Sequence, residues 1–193
     1  GNGGEISHFL SLGWEVEGTE LSEDNCKNLS NLLKIKTYKT IDHNVPVENN
    51  YFDAVYSNQV LEHVSDPTKL LNEFYRILKP GGELILSFPN FNCMQRIIFR
   101  EKWRGVEAPR HLHFFTKDTT KKILKKSGFK IDHLSSVSLS LVDIFCPTLP
   151  PTAQNNFLAN NLWWNNKYLN LMISFLAPSI GFGESIFVKA KKI

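Results

Sequence analysis

The stretch "DPTKLLNEFYRILKPGGELILSFP", residues 66–89, leaves this chain little architectural choice. Asp66 can cap a helix, Pro67 suits its first position, and Leu70, Leu71, Phe74 and Leu78 share one apolar face. Lys79-Pro80-Gly81-Gly82 then ends the helix and turns the chain. The next segment, "ELILSFP", is almost continuously apolar, as a strand is when both of its faces are covered. A strand of that kind needs helices above and below it, which is the layering of a parallel α/β sheet.

The rest of the chain repeats the alternation. Residues 5–12 read as a helix closed by Gly13, and "WEVEGTEL" as a strand. Ser22, backed by Glu23 and Asp24, starts a helix that runs to about Leu33. "KTYKTI" is a weak strand ending at Asp42, and "YFDAVYS" a stronger one. A helix near 93–101 leads into the loop "WRGVEAPRHLHFF". Thr116 caps a helix that stops at Gly128, and "FKIDHLSSVS" and "ESIFVKAKK" are the last strands. The expected fold is a doubly wound, Rossmann-like, mostly parallel sheet in a single domain over residues 1–193. Residues 139–183 break the pattern: they are aromatic, rich in Asn and interrupted by Pro147, Pro150, Pro151 and Pro178. They read as a helical insertion before the last strand.

Bulk properties exclude several classes. A net charge of +3 with scattered basic residues gives no nucleic-acid surface. The densest run, "TKDTTKKILKKSG", is the solvated face of a helix. Cys26, Cys93 and Cys146 have neither disulfide-framework nor zinc-motif spacing, which fits a reducing cytoplasm. The longest apolar stretch, "YLNLMISFLAPSIGF", falls short of the ~20 residues that span a bilayer.

In an open parallel sheet, ligands lie beyond the carboxyl ends of the strands. The chain presents Gly1 to Gly4, Glu20, Asp42, and Ser57 with Asn58 at such ends. Glu20 comes after the glycine loop at close to the ~20-residue offset at which a carboxylate accepts from ribose hydroxyls. Ile6, where a dinucleotide fingerprint would have its last glycine, points away from NAD and towards another adenosine cofactor.

"GNGGEISHFLSLGWEVEGTELSE" and "NYFDAVYSNQVLEHVSDPTKLLNEFYRILKPGGELILSFPN" together resemble the class I S-adenosylmethionine-dependent methyltransferases. The likeness is to the type 11/12 branch, also labelled methyltransferase domain 23, and covers about residues 1–138. "ESIFVKAKK" matches the family's antiparallel last strand, and "WRGVEAPRHLHFFT" resembles bacterial enzymes of cell-surface polysaccharide and lipid biosynthesis. The resemblance implies S-adenosylmethionine as cofactor and S-adenosylhomocysteine as product. It assigns Gly1 and Gly3 to the methionine part, Glu20 to the ribose, Leu21 to adenine packing, and Asp42 with His43 to the adenine amino group. Asn58 and Gln59 would line the sulfonium side. It also implies a strand before Gly1, so an N-terminally longer natural protein is expected. In the ubiquinone-pathway O-methyltransferases a stretch like "LEHV", with two glutamates and the histidine, is associated with a divalent metal. Here Gln59 stands at the first of those positions, so no metal is expected, and Glu62 and His63 are read as structural.

Methyl transfer needs no covalent nucleophile, but a hydroxyl acceptor needs a base. His111 and His113 are the catalytic candidates; they alternate along an extended loop, so only one can face the substrate. Trp103, Arg104 and Arg110 are the substrate-side candidates, with Arg110 suited to a carboxylate or phosphate. The expected acceptor is a small molecule or a lipid- or saccharide-linked group, modified at oxygen. The aromatic surface of 139–183 (Phe145, Phe157, Trp163, Trp164, Tyr168, Met172 and Phe175) suits core packing, an acceptor lid, a homodimer interface or peripheral membrane contact. The rival functions are a nicotinamide-dependent oxidoreductase of similar fold and a non-catalytic binding module.

Overall fold

The computed structural model describes residues 3–137 and 177–193. The chain forms two compact units, Gly1–Tyr51 and Phe52–Ile193. Gly1, most of the expected insertion at 139–183, all seven aromatic and methionine positions named within it, and Cys146 lie outside the described residues.

The first unit runs α1 (Gly4–Ser11), β1 (Gly18–Glu20), α2 (Glu23–Leu33) and β2 (Thr37–Lys39). The strands are parallel, with Gly18 opposite Thr37 and Glu20 opposite Lys39. Its core is Cys26, Leu29, Ile35, Tyr38 and Val45. Gly3 precedes α1 with φ at 76°, and a Cβ there would stand 2.9 Å from the Leu29 side chain and 3.0 Å from that of Leu33. Only glycine combines that left-handed backbone with so close an approach to α2. The strand expected over "WEVEGTEL" is shorter in the structure. Trp14 and Glu15 are exposed, so their alternation lines no core, and pairing begins only at Gly18. Glu17 instead accepts from both the Tyr38 hydroxyl, at 2.7 Å, and the Tyr51 hydroxyl, at 3.2 Å.

The second unit is a four-stranded sheet with helices. Its elements are β3 (Phe52–Asn58), α3 (Pro67–Ile77), β4 (Leu78–Pro89), α4 (Met94–Phe99), α5 (Lys117–Lys126), β5 (Phe129–Val137) and β6 (Ser185–Lys192). The strand order is β3-β4-β6-β5, with β3 and β4 parallel and β6 antiparallel to both of its neighbours. The Asp66 carboxylate accepts from the Lys69 amide at 3.0 Å, and Pro67 opens α3, as the sequence implies. Leu70, Leu71, Phe74 and Ile77 bury the apolar face of α3, against a sheet whose Leu84, Leu86, Phe88, Ile186 and Val188 are equally enclosed. Each such side chain contributes about 1.5–3 kcal/mol. Thr116 and Thr119 form a reciprocal capping box at the start of α5.

One boundary differs from expectation. The Lys79–Gly82 turn is part of β4, which starts at Leu78 directly after α3. Gly81 takes φ 78°, and the pairing with β3 shifts register there, so the segment bulges without leaving the sheet. Lys192 donates from Nζ to the carbonyls of Tyr75 (2.7 Å) and Leu78 (2.8 Å), closing the end of α3.

Candidate active site

The second unit gathers its polar side chains just past the carboxyl end of β3. Gln59 leaves the strand with φ 53°, while its amide still donates to the Ser87 carbonyl at 2.8 Å. Its Nε2 is buried without a hydrogen-bond partner. A non-glycine residue held in the left-handed region at a strand end is a common mark of a functional turn. The chain then passes through Leu61 and Glu62, each only 1% exposed.

The long loop after α4 folds back onto this segment. The Glu62 carbonyl accepts from two consecutive amides, Leu112 at 2.8 Å and His113 at 3.2 Å. The Arg110 carbonyl lies 2.8 Å from His63 Nδ1, and the Gly105 carbonyl 2.8 Å from His111 Nδ1. A carbonyl can only accept, so both rings carry their proton on Nδ1 and leave the Nε2 lone pair free. The two ring centroids lie 4.7 Å apart with their planes tilted by 55°. Gly105 has no room for a side chain, because a Cβ there would clash with the Trp103 ring.

Glu62 is the most unusual group of the set. Its carboxylate oxygens are both buried and neither has a hydrogen bond. Among the described residues the nearest ionisable nitrogen is His63 Nε2, 3.9 Å from Oε1. Burial pushes the Glu62 carboxyl above its ordinary range, opposed more weakly by its own backbone amide and by His63, His111 and Arg110. Glu107 completes the neighbourhood, with Oε2 3.7 Å from His111 Nε2 and Oε1 accepting from Arg110 Nη1 at 2.9 Å.

The residues expected to carry function divide between the two units. In the first unit, Gly3 heads α1, and the half-buried Glu20 ends β1, its carbonyl accepting from the Thr40 amide at 2.9 Å. Leu21 is 78% exposed. Asp42 and His43 occupy the two central positions of a tight turn, with φ of 51° and 68°, closed by the Asn44 amide on the Ile41 carbonyl at 2.9 Å. Two successive positive φ values make this a type I′ geometry, for which Asp is well suited. In the second unit, Asn58 ends β3 beside Gln59. Trp103, expected to wall the substrate site, is buried against Cys93, with Phe91 and Val106 packed around it. Arg104 opens a 3-10 turn, and Arg110 is mostly exposed. His111 and His113 both lie against the segment that follows β3, on different partners. The first is buried against His63, whereas the second reaches the Ser65 carbonyl through Nε2 at 3.4 Å.

Sequence reasoning read Glu62 and His63 as structural and did not single out Glu107 or Asn90. The adjacent acid and histidine of "LEHV" were visible, but their third companion, His111, lies 48 residues further on. Asn90 is fully buried; its Nδ2 donates to the Gly183 carbonyl at 2.8 Å and its Oδ1 accepts from the Asn92 amide at 3.1 Å. Cys93, below the Trp103 ring, caps α4 by accepting from the Arg96 amide at 3.3 Å. Burial pushes its thiol up to about 12. Because this pKa is raised, the associated stability is fully present below the ordinary value of 9.0 and is lost as pH rises through about 12. At mildly alkaline pH, Cys93 should therefore resist iodoacetamide in the native protein and label only after denaturation, as read by peptide mass.

The fold is that of the Rossmann-like, class I S-adenosylmethionine-dependent methyltransferases. A solved S-adenosylmethionine-dependent methyltransferase from Archaeoglobus fulgidus superposes with a TM-score of 0.64 at 20% identity, over all of this chain and 82% of its own. The match to the methyltransferase domain family runs over residues 1–134, and the chain belongs to that family. Among curated relatives, a ubiquinone biosynthesis O-methyltransferase from Xanthomonas oryzae pv. oryzae is 33% identical over 96 residues. A malonyl-[acyl-carrier protein] O-methyltransferase from Hahella chejuensis is 34% identical over 73 residues. These matches take in 46% and 37% of this chain, but only 40% and 25% of the relatives' own lengths. No helix among the described residues is long and apolar enough to cross a membrane.

Proposed function

We propose that the chain is an S-adenosylmethionine-dependent methyltransferase acting on an oxygen of a small or lipid- or saccharide-linked acceptor, with residues 1–193 serving as one methyltransferase domain. The family match supports this reading, since it runs through residues of both units. The observation that carries the cofactor is Glu20, a half-buried carboxylate ending β1 in a unit whose first helix starts at a left-handed glycine. Gly3, Glu20, Leu21, Asp42 and His43 fit an adenosine. The carboxylates can accept from ribose hydroxyls and an adenine amino group, and the exposed Leu21 offers an apolar face to the ring. S-adenosylmethionine supplies an activated methyl and a neutral thioether leaving group, so the protein's part is alignment and exclusion of water.

Oxygen as the acceptor atom is favoured by the two O-methyltransferase relatives and by histidines on the loop that comes after β4 and α4. His113 is the acceptor-side base in this reading, because its Nε2 has only a long contact while the Nε2 of His111 turns towards buried carboxylate. Arg110, exposed beside them, would hold an acidic acceptor. Calorimetry of the intact protein with S-adenosylmethionine and S-adenosylhomocysteine tests the cofactor directly. Glu20→Ala should weaken binding roughly 10–100-fold, the worth of charge-assisted hydrogen bonds of about 1.5–3 kcal/mol. No heat with either ligand would overturn the reading.

A further inference from the structure

We propose that Glu62, His63 and His111 bind one divalent transition metal of the zinc class. This goes beyond methyl transfer and stands without it. The ligand atoms of the three residues lie within 4.8 Å of one another. Both imidazoles are locked with Nδ1–H on a backbone carbonyl, which is the orientation that metal-bound histidines require of their second nitrogen. Their free Nε2 atoms and the Glu62 carboxylate therefore share one small space. That carboxylate is buried and neither of its oxygens has a hydrogen bond, so the His63 ring at 3.9 Å offsets its desolvation only in part. A cation would offset the rest.

The donor set selects the metal. Two imidazole nitrogens and a carboxylate suit zinc or its first-row neighbours, whereas calcium and magnesium prefer oxygen alone. Bonds of about 2.0–2.1 Å place tetrahedral ligand atoms roughly 3.3 Å apart. His63 Nε2 and Glu62 Oε1 stand at 3.9 Å, so a small side-chain rotation closes this pair. The set is not the two-glutamate pattern for which Gln59 was wanting: its third donor arrives from the distant loop. Three protein ligands leave a fourth position for water, and the 27% exposure of the His63 side chain provides the route in. If the chain methylates oxygen, an acceptor hydroxyl at that position would lose its proton more readily.

The experiment uses tag-free protein freed of metal by chelator and titrated with zinc against a competing chromophore. One equivalent should bind at roughly 1 µM or tighter, as a preformed site of three ligands allows. Glu62→Gln and His111→Ala should each weaken binding at least about 100-fold, while His133→Ala, on β5, should not. Cobalt(II) added to the unsubstituted protein should give the visible bands of a four- or five-coordinate site, a readout that does not depend on any variant folding. Less than a tenth of an equivalent bound (about that level being background), a spectrum of aqueous cobalt alone, or uptake unchanged in both variants would each overturn the proposal. Metal uptake without S-adenosylmethionine binding would refute the methyl-transfer reading and support this one.

Discussion

Asn90→Ala should lower the stability of the protein by about 2–4 kcal/mol, because it orphans the buried Gly183 carbonyl and the Asn92 amide together. For a domain of this size that is a drop of roughly 5–15 °C in melting temperature. The effect is large because Asn90 ties three segments at one point. Its side chain holds Gly183 and Asn92, its own amide donates to the Glu184 carbonyl at 2.7 Å, and it bridges to Phe115. Phe115 in turn accepts from the Phe91 amide at 2.7 Å, so the segment carrying His111 and His113 hangs from the same knot. Urea titration of the variant should show a fall in midpoint with an unchanged slope; a loss under about 1 kcal/mol would mean that water replaces both partners.

Glu62→Met should move stability the other way. Removing a buried carboxylate that has no hydrogen bonds, and filling its space with an apolar chain, should stabilise the metal-free protein by about 1–3 kcal/mol. That corresponds to roughly 3–10 °C in melting temperature. The same variant should take up no zinc, so adding the metal should raise the melting temperature of the unsubstituted protein and leave that of the variant unmoved. A variant less stable than the metal-free parent would show that Glu62 is satisfied by the fold itself, and the case for a ligand would fall.

The contrast between these two residues explains what could be read from the sequence. α3 was legible because its start, face and end are all local: Asp66 and Pro67 within one turn, then leucines and Phe74 at helical spacing. β3, α5 and β6 were legible for the same reason. "WEVEGTEL" misled because alternation predicts a strand only if one side is covered, and Trp14 is largely exposed. Lys79–Gly82 misled in the opposite sense, since its glycines permit a bulge as readily as a turn. Trp103 looked like a binding-site wall from its loop, but Cys93 and Phe91 claim its surface. The Glu62 cluster was half visible. The acid and one histidine are neighbours in the chain, but what distinguishes them from a structural pair is burial without partners, a property of the loop that closes over them. Asp42 and His43 were expected at the adenine amino group, and the backbone puts both in a tight turn.

The position of β6 governs how the second unit comes to exist. It is the strand between β4 and β5, yet residues 138–184 intervene before the chain supplies it. Until Ser185–Lys192 arrive, β4 and β5 are each left with an open row of amides and carbonyls beside apolar faces, the template on which chains pair with one another. On the ribosome β6 emerges well after β4 and β5, and pairing strands so far apart in sequence is entropically costly. Nascent chains stalled after Val137 should therefore be sticky and protease-sensitive, and dependent on whatever shields them until the central strand slides into place.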